Sequence, residues 1–134
     1  HKCFDQLVDQ VTFNLLDRIE EEDISVIATG AMDFLGDKFS LKFGIQDCIA
    51  TKTEVIDNRI SGRVDGPPNF GAYKKANVEE WCKRKSISNE EIIFYTDSIN
   101  DLPLVENSLN NVIVCPDLKL EKFAQENKLE IIYR

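Results

Sequence analysis

The sequence predicts an α/β fold in which a parallel sheet is flanked by helices on both faces. Short apolar runs of strand type alternate along the chain with segments whose apolar residues recur at helical spacing. These runs are apolar throughout, as expected for strands that are buried on both faces. With 134 residues, the chain is expected to form a single α/β domain over residues 1–134.

The first part of the chain is predicted to run helix, strand, helix, strand. Apolar residues at helical spacing define the first helix, and an acidic run ends it as a solvated turn. Thr29–Gly30 is the expected turn after the first strand. Gly44 is the expected stop of the second helix, whose inward side includes Phe34 and Leu35. The four segments are, in order, 4–19, 24–28, 32–43 and 48–50.

A β-hairpin is predicted over Glu54–Val64. Two alternating runs flank Asp57–Asn58, which is a favourable pair for a tight turn, and Gly66-Pro67-Pro68 closes the unit. Two interpretations of the hairpin remain open. It is either a ribbon at the edge of the sheet, or a flap near a site where Arg59 or Arg63 contacts an acidic part of a substrate.

The remainder of the chain again alternates helix and strand. Its first helix places Val78, Trp81 and Cys82 on one face, and its strands are short apolar runs. The helices are expected at 74–85, 102–106 and 118–124. The strands are expected at 92–95, 112–114 and 129–133.

The composition argues against several classes of function. The 43% hydrophobic and 30% charged content is typical of a soluble globular protein. The net charge of −8 argues against nucleic acid or an anionic membrane surface as a partner. No apolar run approaches the roughly 20 residues that a membrane helix needs. The four cysteines are dispersed and His1 is the only histidine, so we expect reduced thiols in a cytoplasmic protein and no zinc site.

Three polar groups follow strands or begin helices. Thr29–Gly30 suits a phosphate oxygen, although a threonine in this place is usually a cap or turn residue. Lys74 suits a phosphate as a point charge, although by itself it resembles a surface lysine such as the neighbouring Lys75. Asp97 and Asp101 suit Mg²⁺, or else they cap a strand-to-helix turn.

The three groups are more informative together than singly. The carboxyl ends of parallel strands meet at one edge of a sheet, so Thr29, Lys74 and the two aspartates are expected to converge. A hydroxyl, a cation and Mg²⁺-binding carboxylates are what phosphoryl transfer needs, because its transition state carries negative charge on several oxygens.

The segments VIATGAMDFL, ISGRVDGPPNFGAYK and YTDSINDLPLV, in this order and spacing, resemble the haloacid dehalogenase (HAD) superfamily of phosphatases. The phosphoserine-phosphatase-like subfamily is the most similar branch. The resemblance extends from Ile24 to the C-terminus. It implies a Rossmann-like core sheet and a Mg²⁺-dependent phosphatase that acts on a small phosphorylated substrate.

The resemblance also implies a role for each candidate residue. Lys74 would balance the charge of the nucleophile and the phosphoryl group, and Asp97 would bind Mg²⁺. Asn100 and Asp101 complete the motif that contains Asp97. The implied site comprises Thr29, Gly30, Lys74 and Asn100 for phosphate, Lys74 and Asp101 for catalysis, and Asp97 for the metal.

The family's first motif, a strand that ends in D-x-D and carries the nucleophile, has no counterpart in this sequence. Asp5 and Asp9 lie on a helical pattern, and the family's helical cap is missing too. In such folds the first strand lies between those that carry Thr29 and Asp97. We therefore expect the chain to be the C-terminal part of a longer phosphatase, inactive alone, with two open strand edges that pair with a missing N-terminal segment or with another chain.

Two hypotheses of different class follow. The first is a phosphomonoesterase that acts through an aspartyl phosphate and is present here as a fragment without its nucleophile. The alternative is a non-catalytic phosphate- or protein-binding module derived from that fold. A receiver domain is disfavoured because its acidic residues precede its threonine and lysine, and no G-x-G-x-x-G supports a dinucleotide site.

Overall fold

The computed structural model describes residues 10–134 and confirms the α/β class. Helices and strands alternate, with short 3₁₀ turns at Asn89–Glu91 and Ile99–Asp101. The helices are α1 (Gln10–Leu16), α2 (Asp33–Phe43), α3 (Gly71–Lys85), α4 (Leu102–Asn107) and α5 (Leu118–Glu126). The strands are β1 (Val26–Met32), β2 (Asp47–Thr51), β3 (Thr53–Ile56), β4 (Arg59–Val64), β5 (Ile93–Thr96), β6 (Asn110–Val114) and β7 (Glu130–Ile132).

The parallel strands form two separate ladders. β1 pairs with β2, and β5 pairs with β6, which pairs in turn with β7. β1 and β5 are therefore each paired along one edge only in the part of the chain that the structure describes. The expectation that a strand missing from this chain lies between the strands carrying Thr29 and Asp97 stays a prediction.

Helix α3 connects the two ladders. It packs against β1 and also against α4 and the 3₁₀ turn before α4. Its buried residues Lys74 and Trp81 are seven positions apart and so share one face of the helix. The buried apolar cluster is formed by α4, β6 and α5. It consists of Val105, Ile113, Leu120 and Ala124.

Local signals for turns and helix ends were predictive. Gly44 adopts the left-handed conformation that ends α2, and its N–H donates to the carbonyl of Ser40. Asp57 and Asn58 both have positive φ, as a two-residue hairpin turn between β3 and β4 requires. In contrast, the C-cap residue after α3 is Ser86, which adopts a left-handed conformation although it is not glycine.

Some expectations need correction. Thr29–Gly30 is not a turn after the first strand but lies within β1, because a local bulge allows the strand to continue to Met32. Leu35 does not face inward and is 42% exposed. Helix α1 ends at Leu16, and the predicted helical positions 4–9 lie outside the described residues. In the described part of the chain, no helix has the length and apolar character needed to cross a bilayer.

Candidate active site

The candidate residues surround one open cleft of about 270 Å³. The cleft lies where β1 and β5 approach their carboxyl ends, beside the first turns of α3. It is lined by all six residues that the sequence singled out, namely Thr29, Gly30, Lys74, Asp97, Asn100 and Asp101. The predicted convergence of these residues is therefore confirmed, whereas their chemical roles stay predictions.

A bulge in β1 presents Thr29 and Gly30 to the cleft. Between the pairs Ala28–Ile49 and Met32–Thr51, β1 advances four residues while β2 advances two. Within the bulge, the Thr29 hydroxyl oxygen accepts a hydrogen bond from the N–H of Ala31 at 3.0 Å. The irregular backbone of the bulge places Thr29 and Gly30 in the lining of the cleft.

The ring of Phe70 lies directly against the backbone of Gly30. A Cβ at this position would collide with the ring of Phe70, which packs directly over the glycine. Phe70 is half exposed and lines the same cleft. An apolar surface therefore adjoins the polar groups of the site.

Lys74 and Asp101 form a buried ion pair. The distance from Lys74 Nζ to Asp101 Oδ1 is 2.8 Å, and the two residues are only 6% and 8% exposed. The second carboxylate oxygen of Asp101 accepts a hydrogen bond of 2.7 Å from the Thr96 hydroxyl. Both oxygens of Asp101 are thus engaged, and the ammonium of Lys74 is held at the floor of the cleft.

Lys74 is buried, so the alternative prediction that it is a surface lysine is wrong. The neighbouring Lys75 is the surface lysine. Lys75 is partly exposed and forms a loose ion pair of 3.8 Å with Glu79 on the same helix. Successive residues of a helix point about 100° apart, so only one of two adjacent lysines can face the sheet. The position of Trp81 on the buried face selects Lys74.

Asp97 is exposed at the rim of the cleft. Its carboxylate has no hydrogen bond or ion pair with any residue of the 10–134 segment, so it is available to a cation. The capping interpretation of the two aspartates is wrong, because Ser98 caps the 3₁₀ turn by accepting from the N–H of Asn100. Asp101 makes no side-chain cap of α4.

Within residues 10–134, the donor set fits part of a Mg²⁺ site. Residues 10–134 contain no group of three or more His, Cys, Asp or Glu side chains placed to hold a metal. Mg²⁺ keeps several waters and uses one or two protein carboxylates, and the unpartnered carboxylate of Asp97 meets that requirement.

The hairpin makes no contribution to the cleft. Arg59 and Arg63 are absent from its lining, and every residue of β4 is exposed. The interpretation of the hairpin as a ribbon outside the site is the one that the structure favours.

Sequence reasoning missed Thr96, Asn69 and Asp117. Thr96 orients Asp101, and Asn69 is fully buried behind the β1 bulge. Asp117 follows β6 and holds the segment after β5: its carboxylate accepts from the N–H of Ile99 at 2.8 Å, and its own N–H donates to the carbonyl of Asp97 at 3.0 Å. Of these three residues, only Asp117 carried a signal in the sequence, as a polar residue shortly after the apolar run that forms β6.

Asp117 is expected to couple stability to pH. Desolvation raises the pKa of its carboxyl, but the N–H donors of Ile99 and Leu120 outweigh that effect and leave the pKa below its ordinary value of 3.8. A depressed pKa in the folded state gives stability that is present above the unfolded-state value and is lost as the pH falls through the folded-state value.

We therefore expect Asp117→Asn to make stability depend less on pH in the acid range, since the amide does not titrate. Its one oxygen can keep the cap of α5 by accepting from Leu120 but loses the bond from Ile99, so some stability is lost at every pH. Asp117→Ala should cost about 0.5–2 kcal/mol at neutral pH, the range for a lost N-cap. Urea unfolding between about pH 3 and 7 measures both effects. Asp37→Asn is the control, and an equal loss of pH dependence there would contradict this assignment.

Comparison with known proteins places the chain in a family. The sequence pattern of the haloacid dehalogenase-like hydrolase family matches residues 3–106. This chain belongs to that family. The resemblance expected from the HAD motifs is thus confirmed, and the matched region contains every residue of the cleft.

Individual relatives agree with this membership. This chain is 31% identical over 108 residues to a histidinol-phosphatase of Neisseria meningitidis serogroup C (strain 8013). The match covers 78% of this chain and 49% of that protein. The chain is 24% identical over 118 residues to a phosphoserine phosphatase of Streptococcus thermophilus, covering 84% of this chain and 55% of that protein. The chain thus spans about half the length of these HAD relatives.

A solved structure shares the fold of this chain. A protein of unknown function from Bordetella pertussis Tohama I superposes with a TM-score of 0.83 at 26% identity. The superposition covers 98% of this chain and 63% of that one.

Proposed function

We propose that this chain provides the phosphate- and Mg²⁺-binding part of a HAD phosphomonoesterase. One observation carries the proposal: a hydroxyl, an ammonium and two carboxylates from three separate segments line a single cleft. Phosphoryl transfer is accelerated mainly by positioned charges and hydrogen-bond donors, and this is the set of groups that such chemistry uses.

Phosphate binding is assigned to Thr29, Gly30, Lys74 and Asn100. The Thr29 hydroxyl and the backbone N–H of Gly30 would donate to phosphoryl oxygens from the β1 side, and Asn100 from the opposite rim. Lys74 would supply the positive charge. Its ammonium has three hydrogens, and the bond to Asp101 uses one of them, so donors remain for a phosphoryl oxygen.

Asp101 acts on the reaction through Lys74. The carboxylate of Asp101 accepts a hydrogen bond from the ammonium of Lys74 and so fixes its direction, while the Thr96 hydroxyl fixes the carboxylate. Asp101 thus holds the positive charge of Lys74 where a phosphoryl group would bind.

Asp97 would hold Mg²⁺ at the rim of the cleft. The ion, when bound, would neutralise charge on the phosphoryl group as a Lewis acid. Asp97 is well placed for this role because the segment after it is fixed by Asp117, while its own carboxylate remains free of partners among residues 10–134. Water and a further carboxylate would complete the coordination.

The nucleophile is assigned to an aspartate at the end of a strand seated between β1 and β5. Its carboxylate oxygen would form a bond to phosphorus while the bond from phosphorus to the leaving alcohol breaks. Water would then hydrolyse the aspartyl phosphate, releasing phosphate and restoring the carboxylate. The open inner edges of β1 and β5, both of which end at the cleft, support this placement.

The substrate is proposed to be a small phosphomonoester. Phosphoserine and histidinol phosphate are the first candidates, because similar proteins are named as phosphatases of these compounds. The free thiols of Cys48, Cys82 and Cys115 favour a reducing compartment, so we assign the enzyme to the cytoplasm.

The proposal is tested with the chain joined to an apolar strand that ends in Asp-x-Asp. This fusion should hydrolyse p-nitrophenyl phosphate in the presence of Mg²⁺, whereas the 134-residue chain alone should not. Asp97→Ala in the fusion should lower kcat/KM at least about 100-fold, because removal of one positioned electrostatic group costs that much.

Asp65→Ala in the same fusion is the matched control, since Asp65 is exposed and lies outside the cleft. Unchanged turnover by the Asp97→Ala fusion at saturating Mg²⁺ would refute the assignment of the metal site. Phosphate binding without turnover in any fusion would favour the non-catalytic module.

A further inference from the structure

Asn69 is a buried polar residue near the cleft with four hydrogen bonds, and none of the proposed catalytic steps uses it. It is 0% exposed and directly precedes Phe70, the N-cap residue of α3. Its amide group donates to the carbonyls of Thr29 at 2.9 Å and Ile49 at 3.0 Å. Its amide oxygen accepts from the side chain of Asn77 on α3 at 2.9 Å.

The hydrogen bonds of Asn69 replace those that the bulge removes from the sheet. The carbonyls of Thr29 and Gly30 lie in the stretch where the β1–β2 register shifts. The side-chain amide of Asn69 donates to the carbonyl of Thr29. The Thr51 hydroxyl donates to the carbonyl of Gly30 at 2.8 Å. The same hydroxyl accepts a hydrogen bond of 2.9 Å from the backbone N–H of Asn69. Buried carbonyls need such partners, so the bulge depends on this network.

The same residue fixes the other side of the cleft. Through Asn77 it is tied to α3, the helix that carries Lys74. Asn69 therefore connects β1, β2 and α3 beside the cleft that Thr29 and Lys74 both line. Few residue types can do this, because the side chain must donate twice and accept once in a site with no water-exposed surface.

We propose that Asn69 is a positioning residue for the phosphate site, which sets the separation and direction of Thr29 and Lys74. This inference rests on the proposed function of the cleft. Asn69 touches neither phosphate nor metal in this scheme and acts only through the bulge and α3. Its removal should leave a folded chain whose phosphate-binding groups are misplaced.

Asn111 provides a matched control. Its side-chain amide also donates to two backbone carbonyls, those of Val105 at 2.9 Å and Ser108 at 3.0 Å. It lies on β6, and it is absent from the lining of the cleft. Asn111→Ala thus removes the same kind of bridge at a distance from the site.

The experiment compares Asn69→Ala, Asn111→Ala and the unmodified chain at a temperature where urea unfolding shows all three folded. Inorganic phosphate with Mg²⁺ is titrated and followed by NMR, and amide hydrogen exchange is measured at Ala31, whose N–H bonds to Thr29 within the bulge. Asn69→Ala should raise the phosphate Kd about tenfold and speed exchange at Ala31, while Asn111→Ala should change neither.

Equal changes in the two alanine variants, or none in Asn69→Ala, would overturn the inference. If Asn69→Ala does not fold, Thr51→Val is substituted. Valine keeps the shape of the threonine side chain but removes the hydrogen bond to the carbonyl of Gly30. This variant should also raise the phosphate Kd and speed exchange at Ala31, by less than Asn69→Ala. A wild-type chain that binds no phosphate would refute the proposed function instead, and exchange at Ala31, which needs no ligand, would still decide whether Asn69 holds the bulge.

Discussion

Asp101→Ala is expected to lower the free energy of unfolding by about 3–5 kcal/mol, the usual cost of removing one partner of a buried ion pair. The variant would leave the ammonium of Lys74, whose side chain is 8% exposed, without the one ion-pair partner that it has among residues 10–134. It would also leave the Thr96 hydroxyl without its acceptor. The same change at an exposed pair should have little effect.

Chemical denaturation of a double-mutant cycle measures this effect. The cycle consists of Asp101→Ala, Lys74→Met and the double variant, which removes both charges and should be less destabilised than the sum of the single variants. Glu126→Ala is the control, because its ion pair with Lys122 is 4.0 Å long and well exposed. That substitution should cost less than about 0.5 kcal/mol. Additive single effects would show that Lys74 and Asp101 do not stabilise each other.

The sequence predicted the parts of the fold that local chemistry determines. Gly44 marks the end of α2 because glycine adopts positive φ without strain, and Asp57–Asn58 marks the hairpin for a related reason. The cleft was predictable too, since Thr29 and Asp97 follow apolar runs and strand ends of one sheet edge must meet.

Residues whose role depends on distant partners were not predictable in this way. Asn69 lies in a stretch that reads as a loop, and its importance arises from carbonyls that are 20 and 40 positions away in the chain. Thr96 resembles any strand residue until the position of Asp101 is known. The bulge at Thr29–Gly30 was mistaken for a turn, because glycine after an apolar run predicts both.

The open edges of β1 and β5 lead to the second large prediction. A cleft of about 370 Å³ extends between these strands on the side away from their carboxyl ends. Its lining includes Val26 of β1, Ile93 of β5, Trp81 of α3 and Leu15 of α1. Charged residues such as Arg18 and Glu91 also line it. Ile93 is 58% exposed although its strand lies in a parallel ladder. These are the features expected where another strand would complete the sheet.

An apolar strand that ends in Asp-x-Asp, fused to the N-terminus, is expected to raise the free energy of unfolding by about 4 kcal/mol or more. It would form ladder hydrogen bonds with β1 and β5, each worth about 0.5–1.5 kcal/mol, and would bury apolar surface as well. Urea unfolding measures the gain. Trp81, the only tryptophan of the chain, lies in the cleft and should report the insertion as a shift of its fluorescence.

Two control fusions separate the structural effect of this strand from its chemical effect. A fusion with Asn in place of the first aspartate should keep the added stability and lose phosphatase turnover, because its amide still fills the strand position but cannot attack phosphorus. A fusion with proline at the middle of the strand should lose both, since proline cannot donate to the ladder. Equal stability of the proline fusion and the intact fusion would show that the added segment does not pair between β1 and β5.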